Sequence, residues 1–220
     1  MFSNDITGDV VLVEGQVSEY TAGEKEDANL SITEIIHPEI SVIRSDQKFP
    51  DPFILDDQAG LIPNKTIEDD SLTSFDVNQD GLDYFESLES MLVEITNGTV
   101  VSPRNEYNEI VILPDSFAIF NLISEQGALL SSSDDKNPEK ITIKLPASFE
   151  ENINLGEKLA APLVGVMDYS YGNYKLLCMS TPELISDLPA DDGIIENTKG
   201  ISIVTYNLYN LSPFDDSSRY

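Results

Sequence analysis

Residues Asp76–Gly81 form the segment whose residue types and spacing point most directly to chemistry. Side-chain oxygens recur at every second position, in Asp76, Asn78 and Asp80, and Gly81 follows them. In EF-hand loops, oxygen ligands at positions one, three and five and a glycine at position six wrap around a calcium ion, and the glycine allows the sharp turn. The pattern therefore predicts a calcium site with Asp76, Asn78 and Asp80 as ligands.

The residues that follow depart from a standard EF-hand. Position twelve, where a bidentate glutamate is expected, is Ser87, and position eight, usually aliphatic, is Asp83. Glu86 and Glu89 lie nearby but out of register. The alternative is an ordinary polar turn followed by a short helix that Asp80 or Asp83 caps at its N-terminus. From the residues alone, both interpretations stay open.

The composition excludes several classes of function. Twelve Lys and Arg face 40 Asp and Glu, which gives a formal net charge of −28. Such a charge opposes a general electrostatic grip on nucleic acid or on anionic membranes, and it is compatible with an exported protein that binds hard divalent cations. One histidine and one cysteine exclude an internal disulfide and disfavour zinc or histidine-based catalysis. Nothing in the composition points to a small-molecule substrate.

No membrane span or signal peptide is visible in the sequence. No run approaches the roughly 18–20 apolar residues of a spanning helix. The first eight residues have neither the basic start nor the apolar centre of a signal peptide. We therefore expect no membrane partner.

The pattern of apolar and β-branched residues predicts an all-β chain. Strands are predicted at residues 9–20, 30–36, 40–43, 91–101, 109–113, 141–145, 163–169, 174–178 and 201–211. Gly15 within the first strand predicts a bulge or a bend, and Asn97-Gly98 predicts a turn or bulge within residues 91–101. A long loop is expected at residues 49–73, and a short helix at residues 83–91. Residues 171–173 are expected to turn a hairpin.

The order of these elements predicts the domain organisation. Five strands with a short helix before the fourth are typical of an OB-fold-like barrel, which we place at residues 1–115. A second, smaller β region with the hairpin follows at residues 116–181, and a linker at residues 182–200. The apolar strand after it needs neighbours to be stable, so residues 201–220 are expected to open a further domain.

Four segments carry a resemblance to a known family. Thr205–Leu211 resembles the opening strand of the endonuclease/exonuclease/phosphatase family, the DNase I-like nucleases. Phe75–Glu94, Gly8–Tyr20 and Gly165–Leu177 resemble the OB-fold-like region that precedes this domain in large bacterial extracellular nucleases. The resemblance implies that residues 1–115 lack the first strand of that barrel, and that residues 201–220 are the opening strand of a truncated catalytic domain.

The resemblance also implies an incomplete catalytic site. Asn207 matches the asparagine at the metal and phosphate pocket, and Asn210 follows in the nearby motif. The metal-binding glutamate, the two catalytic histidines and the aspartates of the family are absent, so this chain is expected to be inactive alone. The parent nuclease would use Mg²⁺ or Mn²⁺ and reach DNA through its C-terminal nuclease domain. From the residues alone, Asn207 and Asn210 are typical of turns at a strand end.

Three tyrosines flank the predicted hairpin turn, namely Tyr169, Tyr171 and Tyr174. Exposed aromatic rings on OB-folds stack on nucleic acid bases, usually beside Lys or Arg. Only Lys175 is close in sequence, so packing in the core or at the rim is the favoured role, and no nucleic-acid-binding residue is assigned.

Two functions compete. The first is a non-catalytic module of an extracellular or cell-surface bacterial nuclease, which positions the catalytic domain and in which calcium stiffens the acidic loop. The alternative is a calcium-dependent structural or adhesion module of a bacterial surface protein with no link to a nuclease.

Overall fold

Strands make up 42% of the structure and helices 6%, which confirms the all-β prediction. The computed structural model describes residues 8–21, 30–55, 62–117, 122–124 and 127–186, all of which belong to one unit, Met1–Leu188. Most of the predicted linker and the predicted strand of residues 201–220 lie outside the described residues, as do Asn207 and Asn210.

The first two strands form a sheet of their own. Strands β1 (Val10–Tyr20) and β2 (Ile32–Arg44) pair antiparallel, and the register shifts between Glu14 and Gln16. The bulge predicted at Gly15 is therefore confirmed. A Cβ on Gly15 would lie 2.5 Å from Cγ2 of Ile35, so the close approach of the two strands requires glycine there.

The sequence predicted two strands where the structure has the single strand β2. His37 takes a positive φ of 52°, and the strand then continues through Pro38. Proline is tolerated because both strands of a two-stranded sheet are edges, where a missing N–H leaves no ladder bond unmade. The bulge between Glu14 and Gln16 lies opposite these two residues and accommodates them.

The second sheet has nine strands and curls into a half-barrel. Its strands are β3 (Phe53–Ile54), β4 (Leu92–Ile95), β5 (Thr99–Ser102), β6 (Glu109–Leu113), β9 (Ile141–Lys144), β10 (Lys158–Leu159), β11 (Leu163–Ser170), β12 (Asn173–Cys178) and β13 (Leu184–Ile185). Their spatial order is β13-β10-β5-β6-β9-β12-β11-β4-β3. Neighbours are antiparallel except β9 with β12 and β3 with β4.

Two short helices and a small pair of strands complete the described chain. Helix α1 (Gly81–Glu86) is shorter than predicted, and a 3-10 helix (Asp115–Phe117) follows β6. Strands β7 (Leu122–Ile123) and β8 (Leu129–Leu130) form a small antiparallel pair.

The prediction of one strand at residues 91–101 is wrong. The turn at Asn97-Gly98 separates β4 from β5, and the two strands are not neighbours in the sheet. A Cβ on Gly98 would lie 2.5 Å from Cγ2 of Ile112, so the chain passes too close to β6 for a larger residue. The sheet contains strands from both sides of the boundary predicted at residue 115, and the OB-fold-like barrel stays a prediction.

The hairpin of β11 and β12 is confirmed. Tyr171 and Gly172 form its turn with φ values of 51° and 78°, the two positive values of a type I′ turn. This turn exposes 93% of Tyr171 to solvent.

The core lies on one face of the nine-stranded sheet, because residues alternate between the two faces of a strand. In β9, Ile141 and Ile143 are buried, while Lys144 is on the other face. The helix α1 contributes Tyr84 and Phe85 to the same core. The opposite face of β6, β9 and β12 therefore carries the polar side chains.

Candidate metal centre

The loop before α1 folds back on its own first residue. The backbone N–H groups of Gln79 and Asp80 donate to the carbonyl of Asp76, at 2.9 and 3.2 Å. Gly81 and Leu82 then donate to the carbonyls of Thr66 and Ile67, each at 3.0 Å. These bonds hold the end of the long loop beside the start of α1, so that the centre is built from two separate segments.

Gly81 is required by close packing and not by the sharp turn that the EF-hand pattern predicted. It opens α1 and is not among the glycines of positive φ, so its backbone does not make the sharp turn expected of an EF-hand. A Cβ at this position would lie 2.5 Å from Cβ of Pro138. Glycine is therefore needed because the segment around Pro138 packs directly on the start of the helix.

Three carboxylates converge at this point, namely Asp76, Asp80 and Asp83. One oxygen from each lies within 4.8 Å of the others. The backbone N–H of Asp76 donates to Oδ2 of Asp83 at 2.7 Å, which ties the beginning of the loop to the first turn of α1. Asp80 and Asp83 are buried, and Asp76 is half-buried.

Asp80 is the most unusual residue of the cluster. It has no exposed surface, and neither of its carboxylate oxygens has a hydrogen-bond partner among the described residues. It stands at the N-cap position of α1 with extended backbone, yet its side chain makes no capping hydrogen bond there. The alternative prediction that Asp80 caps the helix is therefore wrong, and its carboxylate needs another explanation. Asp83 lies within the first turn and accepts from Asp76 rather than capping.

The surroundings make the charge of Asp80 costly. Burial is the largest effect, and together with the negative charges of Asp69, Asp76 and Glu68 it raises the pKa of Asp80 to about 6. Once protonated, Asp80 can donate a hydrogen bond to Asp76. Glu68 is itself held in place, since its Oε1 accepts from the N–H groups of Asp70 and Leu72. Its Oε2 is buried without a hydrogen-bond partner in the described part of the chain.

The cluster fits a hard divalent cation. Calcium binds oxygen ligands at about 2.3–2.6 Å, so oxygens on opposite sides of one ion lie about 5 Å apart. The three ligand atoms lie within 4.8 Å of one another, so they are close enough to contact a single ion. The donor set holds neither histidine nor cysteine, whereas zinc and copper sites depend on them. Asp76, Asp80 and Asp83 would hold the ion, and Glu68 lies close enough to add to the negative charge.

Of the three predicted ligands, the structure brings together Asp76 and Asp80. It adds Asp83, which the sequence pattern did not include. Asp83 occupies loop position eight, which is out of register for an EF-hand. Asn78 is exposed, and its role as a ligand stays a prediction. Sequence reasoning also missed Glu68 and Asp69, although the acidic run Glu68–Asp70 in the long loop was a usable signal.

The three hairpin tyrosines divide between core and surface. Tyr169 is buried, and its hydroxyl accepts from the backbone N–H of Leu30 at 3.0 Å. Tyr174 stacks on Phe85, with ring centroids 6.2 Å apart. Packing is therefore the role of two of them, as favoured from the sequence, while Tyr171 points into solvent.

Residues 42–186 match DUF8508, a domain family described as of unknown function, and since this match covers about two thirds of the chain, the protein belongs to that family. The matched region includes the acidic cluster and the whole nine-stranded sheet. No curated protein and no solved structure matches the chain. Within the described residues, none of the helices has the length and apolar character needed to cross a membrane.

Proposed function

We propose that this protein is a non-catalytic β module that calcium stabilises, and that it serves an extracellular or cell-surface bacterial nuclease of the endonuclease/exonuclease/phosphatase family. The observation that carries the calcium part is Asp80. A buried carboxylate without hydrogen bonds costs several kcal/mol unless a positive charge compensates it. Among the described residues, the charged groups that act on Asp80 are the carboxylates of Asp69, Asp76 and Glu68, which increase that cost. A bound divalent cation turns the same group of charges into a stabilising one.

Calcium suits the cluster better than magnesium. Magnesium demands nearly ideal octahedral geometry and keeps several waters, so it is usually bound through one or two carboxylates. Here three carboxylates converge, and one of them is fully buried. Calcium accepts irregular arrangements of oxygen ligands, so it does not need the ideal geometry that magnesium demands.

The nuclease context rests on the resemblance of residues 8–20, 75–94, 165–177 and 205–211. In this proposal the module positions the catalytic domain, and calcium stiffens the loop of residues 66–83 that joins the long loop to α1. DNA is contacted by the nuclease domain, with Mg²⁺ or Mn²⁺, because the charge of −28 keeps this module away from phosphates. An extracellular location is consistent with a calcium site of modest affinity, because such sites in extracellular modules fill at about millimolar calcium.

Isothermal titration of calcium into the metal-free protein tests the first part. We expect one site, with a Kd of about 10⁻⁵ to 10⁻³ M and weaker binding of magnesium. Asp80→Ala should abolish the heat of binding because it removes the buried ligand. Asp134→Ala, which changes an exposed aspartate in the loop of residues 131–138, is the matched control and should bind as the parent does. Equal binding by both variants would mean diffuse attraction of calcium to an acidic surface and would refute the site.

Incubation with supercoiled plasmid DNA tests the second part. With Mg²⁺ or Mn²⁺, we expect no cutting by the purified chain, because its single histidine cannot supply the two that the family uses. We also expect no binding of duplex DNA below micromolar concentrations at physiological salt. Cutting that follows the protein through purification, or tight metal-independent binding, would contradict a non-catalytic role.

A further inference from the structure

A groove of about 800 Å³ lies on the face of the nine-stranded sheet that is opposite the core. Its floor is formed by residues of β6, β9 and β12 that alternate with core residues, and the register pairs Glu109 with Lys144 and Asp168 with Lys175. The turn at Tyr171 borders it on one side, and the turn at residues 105–108 borders it on another. The groove shares no lining residue with the acidic cluster.

The polar floor is preorganised. The ammonium of Lys175 lies 2.7 Å from Oε1 of Glu109, with side-chain exposures of 8% and 11%. Asn105 donates to the second oxygen of Glu109 at 3.1 Å, and Lys144 donates to the backbone carbonyl of Tyr107. These contacts fix the floor side chains before any ligand arrives, which lowers the entropic cost of binding.

Two aromatic rings stand at the rim of this floor. Tyr171 is 93% exposed and Tyr107 is 64% exposed, although both are large side chains on short turns. Tyr171 lines the groove, and the ammonium of Lys175 lies 5.5 Å from its ring centroid, within the range of a cation–π contact. An exposed ring at the border of a polar groove offers an apolar face to a ligand that binds there.

The charges that line the groove cancel. Lys144 and Lys175 balance Glu109 and Asp168, although the chain as a whole carries a charge of −28. A polyanion finds no excess of cations there, and a cation finds no excess of carboxylates. The ligand that fits is neutral, has apolar faces that stack on tyrosine, and has many hydroxyl groups for amide, carboxylate and ammonium partners.

We propose that this groove binds a neutral saccharide chain. The ring faces of the sugar pack on Tyr171 and Tyr107, and its hydroxyl groups bond to the side chains of the floor. The volume falls within the 300–1,000 Å³ of small-molecule sites, which is room for a few sugar units of a chain. This activity is separate from calcium binding and from any nuclease, and gives the module a means of attachment to a polysaccharide matrix.

Affinity electrophoresis in gels that contain a neutral glucan, mannan, galactan or xylan tests the groove. We expect at least one of these polymers to retard the protein, and Tyr171→Asn to weaken the interaction about tenfold or more. Asparagine before glycine is the preferred pair for a type I′ turn, so this variant removes the ring without weakening the hairpin. Tyr107→Ala should weaken binding as well. Tyr20→Ala, an exposed tyrosine of β1 outside the groove, is the control and should migrate as the parent does.

Three results would overturn the proposal. One is that none of the four neutral polymers retards the protein. Another is retardation that Tyr171→Asn leaves unchanged. The third is binding of an oligothymidylate or an anionic polysaccharide that Tyr171→Asn abolishes, because the rings would then serve a polyanion. Asp80→Ala, tested in the same gels, should keep saccharide binding, so failure of the calcium site and failure of the groove are distinguishable.

Discussion

Asp80→Asn is expected to change the stability of the protein in opposite directions with and without calcium. In a chelator, the substitution removes a buried charge that has no hydrogen bonds and lies among other carboxylates. The amide is neutral and can donate to Asp76, so the free energy of unfolding should rise by about 1–2 kcal/mol. Most substitutions of a fully buried residue destabilise a fold, which makes this sign diagnostic.

In excess calcium, the order of the two proteins should reverse. A ligand that binds only the folded state adds about 2.7 kcal/mol at a hundredfold excess over Kd. The parent should gain this stability when calcium is added, whereas Asp80→Asn should gain little of it. Thermal unfolding in chelator and in calcium measures both values. Asp51→Asn, at an exposed aspartate before β3, is the control and should follow the parent in each condition. A variant less stable than the parent in chelator would show that Asp80 is satisfied without a metal.

The sequence predicted the individual elements better than it predicted their pairing. The hairpin of β11 and β12 was predictable because its apolar pattern and the residues of its turn are local. By contrast, β4 and β5 are consecutive yet lie apart in the sheet, and β9 pairs in parallel with β12 across more than 25 residues of chain. Such pairing depends on which faces the whole chain can bury, and no local pattern contains that information.

The same contrast between local and long-range contacts explains why only part of the candidate metal centre was predicted. Asp76 and Asp80 share a local motif with fixed spacing, so the sequence identified them. Asp83 joined the cluster because α1 begins at Gly81 and turns the third residue of the helix back toward the loop. Glu68 and Asp69 reached it through the pairing of Thr66 with Gly81. The groove was missed because Glu109, Lys144 and Lys175 come from three separate strands.

Glu109→Gln is expected to lower the free energy of unfolding by about 2 kcal/mol at pH 7, because it leaves the ammonium of Lys175 without its closest counter-charge. Burial raises the pKa of Glu109, but hydrogen bonds from Lys175 and Asn105 and the charges of Lys175 and Lys144 lower it more, to below its usual value. A lowered pKa gives stability above the unfolded value, about 4.3, that is lost as the pH falls through the folded value. The difference between parent and variant should therefore shrink in acid.

Chemical denaturation at pH 7 and at about pH 3 measures this difference, with Glu106→Gln as the control. Glu106 is an exposed glutamate in the same turn, so its substitution should change stability by less than about 0.5 kcal/mol. The double variant Glu109→Gln with Lys175→Met removes both charges and keeps an apolar side chain of similar length. It should recover most of the loss, because the cost in the single variant comes from a stranded charge. A loss at pH 7 that persists unchanged at about pH 3, or that the double variant deepens, would mean that Glu109 acts through its packing and not through its charge.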